Sequence, residues 1–313
     1  MPTVHALGEV RLIERIRQRL GRQGIVAARR QPPGAAVRVG IGDDAAVLQG
    51  PRASQLLLAS DMLVEGVHFR RQLVSAQWIG WKALACNISD VAAMGGWPLC
   101  AVVSLGVPPT TSVRFVEALY DGLRRCARRF GLAIVGGDTV RSAQVVVDVA
   151  ILGAVSAASL TLRSGAKVGD VLFVTGRLGG SYRSGRHARF LPRLREAQAL
   201  LRRVRVHAMM DLSDGLAADL WQMSRASRVT LRVAWDRIPV SRDAESIRHA
   251  MTDGEDFELL FAVGARDAGR VPSRVGACPI TRIGAVVGRG VGVEVEYPDG
   301  SLRPVPPAAF QHF

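Results

Sequence analysis

Lysine is almost absent from this chain. Lys82 and Lys167 are the only two, so the 41 basic residues are nearly all arginine, and against 27 acids they give a net charge of +14. A basic chain invites a nucleic-acid reading. These arginines are spread along the whole length, however, densest at Arg124-Arg125/Arg128-Arg129 and between Arg183 and Arg205, as a general preference for arginine over lysine produces. No nucleic-acid partner is expected. Cysteine is also scarce: Cys86, Cys100, Cys126 and Cys278 are scattered with no C-x-x-C pair, which argues against a zinc site or a disulfide framework. Cys86 and Cys126 fall on apolar helical faces and read as buried free thiols. No run is long and apolar enough to span a bilayer, and the first twenty residues are charged and amphipathic rather than a signal core. A cytoplasmic protein without a membrane partner is the expectation. Several catalytic signatures are missing too: the P-loop G-x-x-x-x-G-K-[ST], the G-x-S-x-G elbow, H-E-x-x-H and a kinase-type His-Arg-Asp loop.

What is present is an ordinary globular composition, 48% hydrophobic, with enough apolar residues for a substantial core. Apolar spacing predicts helices over 7–20, 76–94, 112–130, 193–205 and 216–225. It predicts strands over 56–59, 99–107, 132–135, 144–155, 171–175, 206–210, 229–234, 257–263 and 282–287. Gly95-Gly96 with Pro98 closes one helix and Gly131 another. The pattern is interrupted over 156–169, which divides the chain into domains 1–155 and 156–313, both mixing strands and helices.

The chemistry lies in the acids. Asp211-Leu212-Ser213-Asp214-Gly215 stands where an apolar run ends and an amphipathic helix begins. Gly42-Asp43-Asp44-Ala45-Ala46, Ser60-Asp61, Ser89-Asp90, Gly136-Gly137-Asp138-Thr139 and Gly254-Glu255-Asp256 share that setting. A single aspartate at a strand end is commonly a cap or turn former. A repeated pattern of this kind points instead to converging carboxylates, which cannot all ionise without a counter-charge. Oxygen ligands without histidine or cysteine beside them suit Mg²⁺, which typically binds through carboxylates plus substrate phosphates. Gly40-Ile41-Gly42-Asp43-Asp44-Ala45 formally matches a dinucleotide fingerprint. It is rejected because two aspartates there would repel a pyrophosphate. Arg163-Ser164-Gly165-Ala166-Lys167 and Gly176-Arg177-Leu178-Gly179-Gly180-Ser181 read equally as phosphate-neutralising segments or as plain surface turns. His68, taken alone, reads as structural.

Longer blocks make a resemblance specific. Gly42-Asp43-Asp44-Ala45-Ala46, the run from Ser60-Asp61 to His68-Phe69, the run from Gly80-Trp81-Lys82 to Ser89-Asp90, Gly136-Gly137-Asp138-Thr139, Asp211-Leu212-Ser213-Asp214-Gly215-Leu216 and Gly254-Glu255-Asp256-Phe257-Glu258 occur in order over nearly the whole chain. Together they resemble the thiamine-monophosphate kinase family of the aminoimidazole ribonucleotide synthetase superfamily. The resemblance implies a two-domain α/β (α+β) fold, with an N-terminal sheet pairing across a homodimer and a C-terminal mixed sheet flanked by helices. It implies ATP as co-substrate, several Mg²⁺ ions, and conversion of thiamine monophosphate to thiamine diphosphate. By motif, Asp44, Ser60, Asp61, Asp90, Asp138, Asp211 and Asp214 would be metal ligands. Tyr120, Gly137, Asp138, Arg163 and Ser213 would meet the nucleotide, and His68, Glu255 and Phe310 the thiamine phosphate. The alternative is a paralogue on the same scaffold that activates another small substrate with ATP.

An acceptor that is itself a phosphate is already ionised, so in-line transfer needs positioning and charge neutralisation but no general base. That accords with a chain rich in candidate Mg²⁺ ligands and poor in candidate bases. Departures from the family pattern fall at Asp253, at the compressed stretch 241–251 and in the arginine-rich segment 180–209, all on the acceptor side.

Overall fold

The computed structural model describes residues 11, 13, 14, 18, 37–50 and 54–306. Arg11, Ile13, Glu14 and Gln18 are helical. The rest of the predicted helix over 7–20, the loop over 21–34 and Phe310 lie outside the described residues.

The first half runs β1 (Val37–Val39), β2 (Ala46–Gln49), β3 (Ser54–Val64), α1 (Ala76–Ala93), β4 (Trp97–Val107), α2 (Val113–Phe130), β5 (Ala133–Arg141) and β6 (Val146–Ser156). Its strands form one sheet in the order β1-β2-β3-β6-β4-β5. Alternation along β3 turns Leu57, Ala59 and Leu63 inward and Leu58, Ser60 and Met62 outward, the two-residue period of a half-covered sheet. The second half runs β7 (Val171–Thr175), α3 (Leu194–Leu201), β8 (Val206–Asp211), α4 (Leu216–Ser227), β9 (Val229–Ala234), α5 (Ile247–Thr252), β10 (Leu259–Val263), α6 (Ala265–Ala268), β11 (Arg274–Val275), β12 (Cys278–Arg289), β13 (Gly292–Glu296) and β14 (Leu302–Pro304). The sheet order is β14-β13-β9-β12-β7-β10-β8, with β11 beside β12. It is mixed, since β13 pairs parallel to β9 and the other pairings are antiparallel.

Two predicted strands are longer than their apolar cores. The strand over 56–59 extends to Val64, because β6 pairs with it over its full length, from Ser54↔Ser156 to Val64↔Val146. The Gly136-Gly137-Asp138-Thr139 segment, beyond the strand predicted over 132–135, continues β5 in parallel pairing with β4 as far as Arg141. Backbone pairing, which side-chain hydrophobicity does not report, sets both ends.

Helix α1 is the centre of the molecule. It packs on β3 and β6 on one side, on β8 and α3 on the other, and along α2. A helix enclosed by several layers must be small or apolar all round, and 76–93 is nearly so. The two helices approach closely at Gly80 and Gly122, where an added Cβ would stand 1.9 Å from the Leu119 carbonyl oxygen and 1.8 Å from that of Gln77. One core spans α1, α2 and the near face of the second sheet through Phe173, Met209 and Phe261, and another lies between that sheet's far face and α4. Lys82, Ser89 and Asp90 are therefore carried on a helix wedged between the two sheets.

Candidate active site

Three acids from separate elements meet beside α1. Asp44 precedes β2, Asp90 lies in the last turn of α1, and Asp211 ends β8. Each offers a carboxylate oxygen, and the three oxygens lie within 4.8 Å of one another. Ser89 Oγ donates to Asp211 Oδ2 at 2.6 Å, so the helix fixes one acid and supplies the next. Asp61, on the inner face of β3, hydrogen-bonds to Asp90. Asp214 follows β8, where Gln222 Nε2 donates to its Oδ2 at 3.0 Å.

Burial makes this cluster costly to ionise. It pushes the Asp211 carboxyl up to about 8, with the neighbouring charge of Asp44 adding to the effect. It pushes Asp61 up to about 6, reinforced by Asp148, Asp44 and Asp214, and Asp90 well above the carboxylate range, reinforced by Asp61 and Asp211. The cation at hand is Arg163. Its Nη2 and Nε donate to Asp44 Oδ1 at 2.6 and 3.1 Å, and its backbone N–H donates to Asp43 Oδ1 at 3.0 Å. Asp44 Oδ2 is buried with no hydrogen-bond partner. An orphaned carboxylate oxygen within an all-oxygen triad suits a hard divalent cation.

Next to the acids is a cavity of about 710 Å³ lined by Asp61, Ser213, Asp214, His68, Glu255 and Tyr182 among others. His68 Nδ1 accepts the Val64 N–H at 3.0 Å, so the ring proton sits on Nε2. Lys82 is fully buried, and its Nζ donates to Glu255 Oε1 at 2.6 Å and to the His68 carbonyl at 2.8 Å. It thereby ties both predicted acceptor residues to α1. Glu255 and Phe257 have positive φ, 61° and 50°, a strained arrangement for side-chain-bearing residues. The residues between and after them hold it in place. Asp256 accepts from Gly179 N–H at 2.8 Å and Arg186 Nη2 at 2.6 Å. Glu258 accepts from Thr175 Oγ1 at 2.7 Å and from both Nε and Nη2 of Arg193.

The structure thus brings Asp44, Asp61, Asp90, Asp211, Asp214, Arg163, Ser213, His68 and Glu255 into one region. Tyr120, Gly137 and Asp138 belong neither to the triad nor to the cavity lining. Tyr120 is half-exposed on α2, and Asp138 sits on edge strand β5, three strand spacings or about 14 Å from β3. Ser60 presents its hydroxyl to the opposite face of the sheet from Asp61, where it donates to Asp148 Oδ1 at 3.0 Å. Lys82, Asp43, Asp219 and Gln222 were not assigned from the sequence. Asp43 and Lys82 lie inside motifs noted there. Asp219 carries a helical i, i+3 relation to Gln222, whose Nε2 bridges Asp219 Oδ1 to Asp214; nothing in the sequence marks either.

Two family models match, the AIR synthase related protein N-terminal domain over residues 42–155 and C-terminal domain over 167–296. Fold and acid-lined site thus define the chain as an AIR synthase related protein. Among characterised relatives, thiamine-monophosphate kinase of Rhodopirellula baltica is 39% identical over 293 residues, 88% of this chain and 92% of that protein. The Bacillus subtilis enzyme is 35% identical over 80% and 86%. A solved structure, AaThiL complexed with AMPPCP and TMP, superposes with a TM-score of 0.83 at 30% identity, covering 100% of this chain and 99% of that one. The chain belongs to the thiamine-monophosphate kinase family. The hydrogenase maturation protein HypE in complex with ATP, at 19% identity and a TM-score of 0.69 over 82% of this chain and 85% of that one, shares the fold.

Proposed function

We propose that this protein transfers the γ-phosphoryl group of ATP to the phosphate of thiamine monophosphate, giving thiamine diphosphate and ADP. The observation that carries this reading is the juxtaposition of the Asp44, Asp90 and Asp211 triad with a cavity that holds Ser213, His68 and Glu255. The family to which the chain belongs gives the cavity its substrate.

Asp44, Asp90 and Asp211, with Asp61 and Asp214, are the residues that would hold magnesium. Magnesium bound there supplies charge neutralisation for the phosphates in flight. Arg163 contributes a permanent positive charge at the same place, and Ser213 a hydroxyl and backbone groups at the start of the turn before α4. His68, with its proton on Nε2, and Lys82 acting through Glu255 orient the acceptor. Its phosphate oxygen is already an anion, so no residue has to remove a proton before attack. The acids act by positioning and by electrostatics alone.

A homodimer is part of this reading. The outer face of the first sheet exposes Leu58, Met62, Val102 and Val140, 40–55% accessible each, which is more apolar surface than a lone sheet face usually leaves to water. Pairing two copies there would bring Asp138, which registers with outward-facing Ser104 on that face, towards a neighbour's nucleotide. We place the reaction in the cytoplasm, where ATP is made and four free thiols stay reduced. Among the described residues no helix is long and apolar enough to cross a membrane.

The test is ADP release from ATP and Mg²⁺ with and without thiamine monophosphate, with thiamine diphosphate identified by mass. ADP formed only with thiamine monophosphate supports the proposal. ADP formed only with a different acceptor identifies a paralogue.

A further inference from the structure

The arginine-rich segment between β7 and α3 departs from the family pattern, and its place in the fold gives it a task. It lies against the Glu255 motif. Ser181 Oγ donates to the Glu255 carbonyl at 2.7 Å, Gly180 N–H to Asp253 Oδ2 at 2.9 Å, and Ser184 Oγ to the Gly180 carbonyl at 2.9 Å. Arg186 and Arg193 lock the following residues to Asp256 and Glu258. The residue this turn presents to the cavity is Tyr182. One face of its ring stacks on the buried His187, with ring centroids 4.6 Å apart and planes 23° from parallel. Tyr182 is nevertheless 51% accessible. Burial holds His187 well below its usual range, at about 4, so the imidazole stacked on the tyrosine is neutral.

The cavity lining draws on both halves of the chain. The loop after β3 contributes His68 and Arg70, donors suited to a phosphate. The second half of the chain contributes Tyr182, Asp253 and Glu255 to the same lining. An aromatic face beside a carboxylate recognises a flat cation, because the ring quadrupole attracts positive charge. The Asp253 carboxylate, held against the same turn by the Gly180 N–H, compensates that charge, Glu255 being already paired with Lys82.

We propose that Tyr182 is a specificity-determining residue of the acceptor cavity, its accessible ring face stacking on a flat, cationic heteroaromatic ring of the substrate. This rests on the cavity being the acceptor site proposed above. A cation–π contact at a partly desolvated site corresponds to about a three- to thirtyfold change in affinity.

The experiment is steady-state ADP release with thiamine monophosphate and ATP varied separately, for the parent, Tyr182→Phe, Tyr182→Leu and Tyr182→Ala, with thermal melts of each. Phe keeps the ring and should hold KM for thiamine monophosphate within about twofold of the parent. Leu, of similar bulk without the ring, and Ala should raise it by about tenfold, with KM for ATP unmoved. The melting temperature should fall by no more than the loss of one aromatic stack implies, about 1–5 °C. Parent-like KM in both Leu and Ala overturns the assignment. An equal rise in KM for ATP also overturns it, because that reports a displaced loop. A parent protein that does not turn over thiamine monophosphate at all defeats the proposed function instead, so the two failures are distinguishable.

Discussion

Replacing Asp211 by Asn removes one charge from the acid triad while keeping the side chain's shape and its ability to accept from Ser89. In the metal-free protein Asp211 is fully enclosed, and its carboxyl is pushed up to about 8 by burial and by Asp44. Its folded value therefore lies above the unfolded 3.8. The stability it contributes is complete below about pH 4 and is lost as pH rises through about 8. The metal-free parent should accordingly melt lower as pH rises through that window, and Mg²⁺ should reverse the loss. At a magnesium concentration a hundred times Kd, mass action stabilises the fold by about 2.7 kcal/mol. For a chain of 313 residues, at about 2–3 °C per kcal/mol, that amounts to an upward Tm shift of about 5–8 °C. Asp211→Asn should melt at or above the metal-free parent at pH 8, since a buried like-charge contact is gone. It should show no magnesium shift and release no ADP. Differential scanning fluorimetry in EDTA and in MgCl₂ measures all of this. A mutant that melts several degrees below the metal-free parent, yet still gains the full magnesium shift, would refute the reasoning: the triad would be a structural network and the ion would bind elsewhere.

Arg193→Ala should lower the urea midpoint by an amount equivalent to about 3 kcal/mol, because it leaves the buried Glu258 carboxylate without its bidentate partner; an unchanged midpoint contradicts this. Gly122→Ala should cost about 1–3 kcal/mol or more by forcing α1 and α2 apart, since the new methyl would stand 1.8 Å from the Gln77 carbonyl oxygen; thermal unfolding measures it. His187, held at about 4 by burial, destabilises the fold as pH falls from 6.5 towards 4, because the unfolded chain takes up the proton first. His187→Phe keeps a ring against Tyr182 and should flatten the acid side of the Tm profile; an identical profile would assign the acid loss to other groups.

The elements most legible in the sequence were those whose signal is local. Helix α1 ends where Gly95, at φ 74°, reverses the chain, and α2 is capped by Ser112 and closed by Gly131 at φ 75°. Strands β7 and β9 begin and end where their apolar runs do. The acids, too, could be picked out beside small residues at the ends of apolar runs. Less legible was anything set by pairing. β3 and β5 run past their apolar cores because a neighbouring backbone was there to bond them, and the strand period then sent Ser60 and Asp61 to opposite faces of one sheet.

By itself the sequence determined which side chains were available: carboxylates without histidine or cysteine beside them, two lysines, and glycines where the chain turns or helices touch. Tertiary structure decided which of them meet. Asp44, Asp90 and Asp211 lie on a loop, a helix and a strand, and they converge only because α1 is buried between two sheets. Lys82 reaches Glu255 across 173 residues of chain. Burial in that layer raises the cost of their charge and makes a bound cation favourable, and burial is a property of the packed layers rather than of any local run of residues.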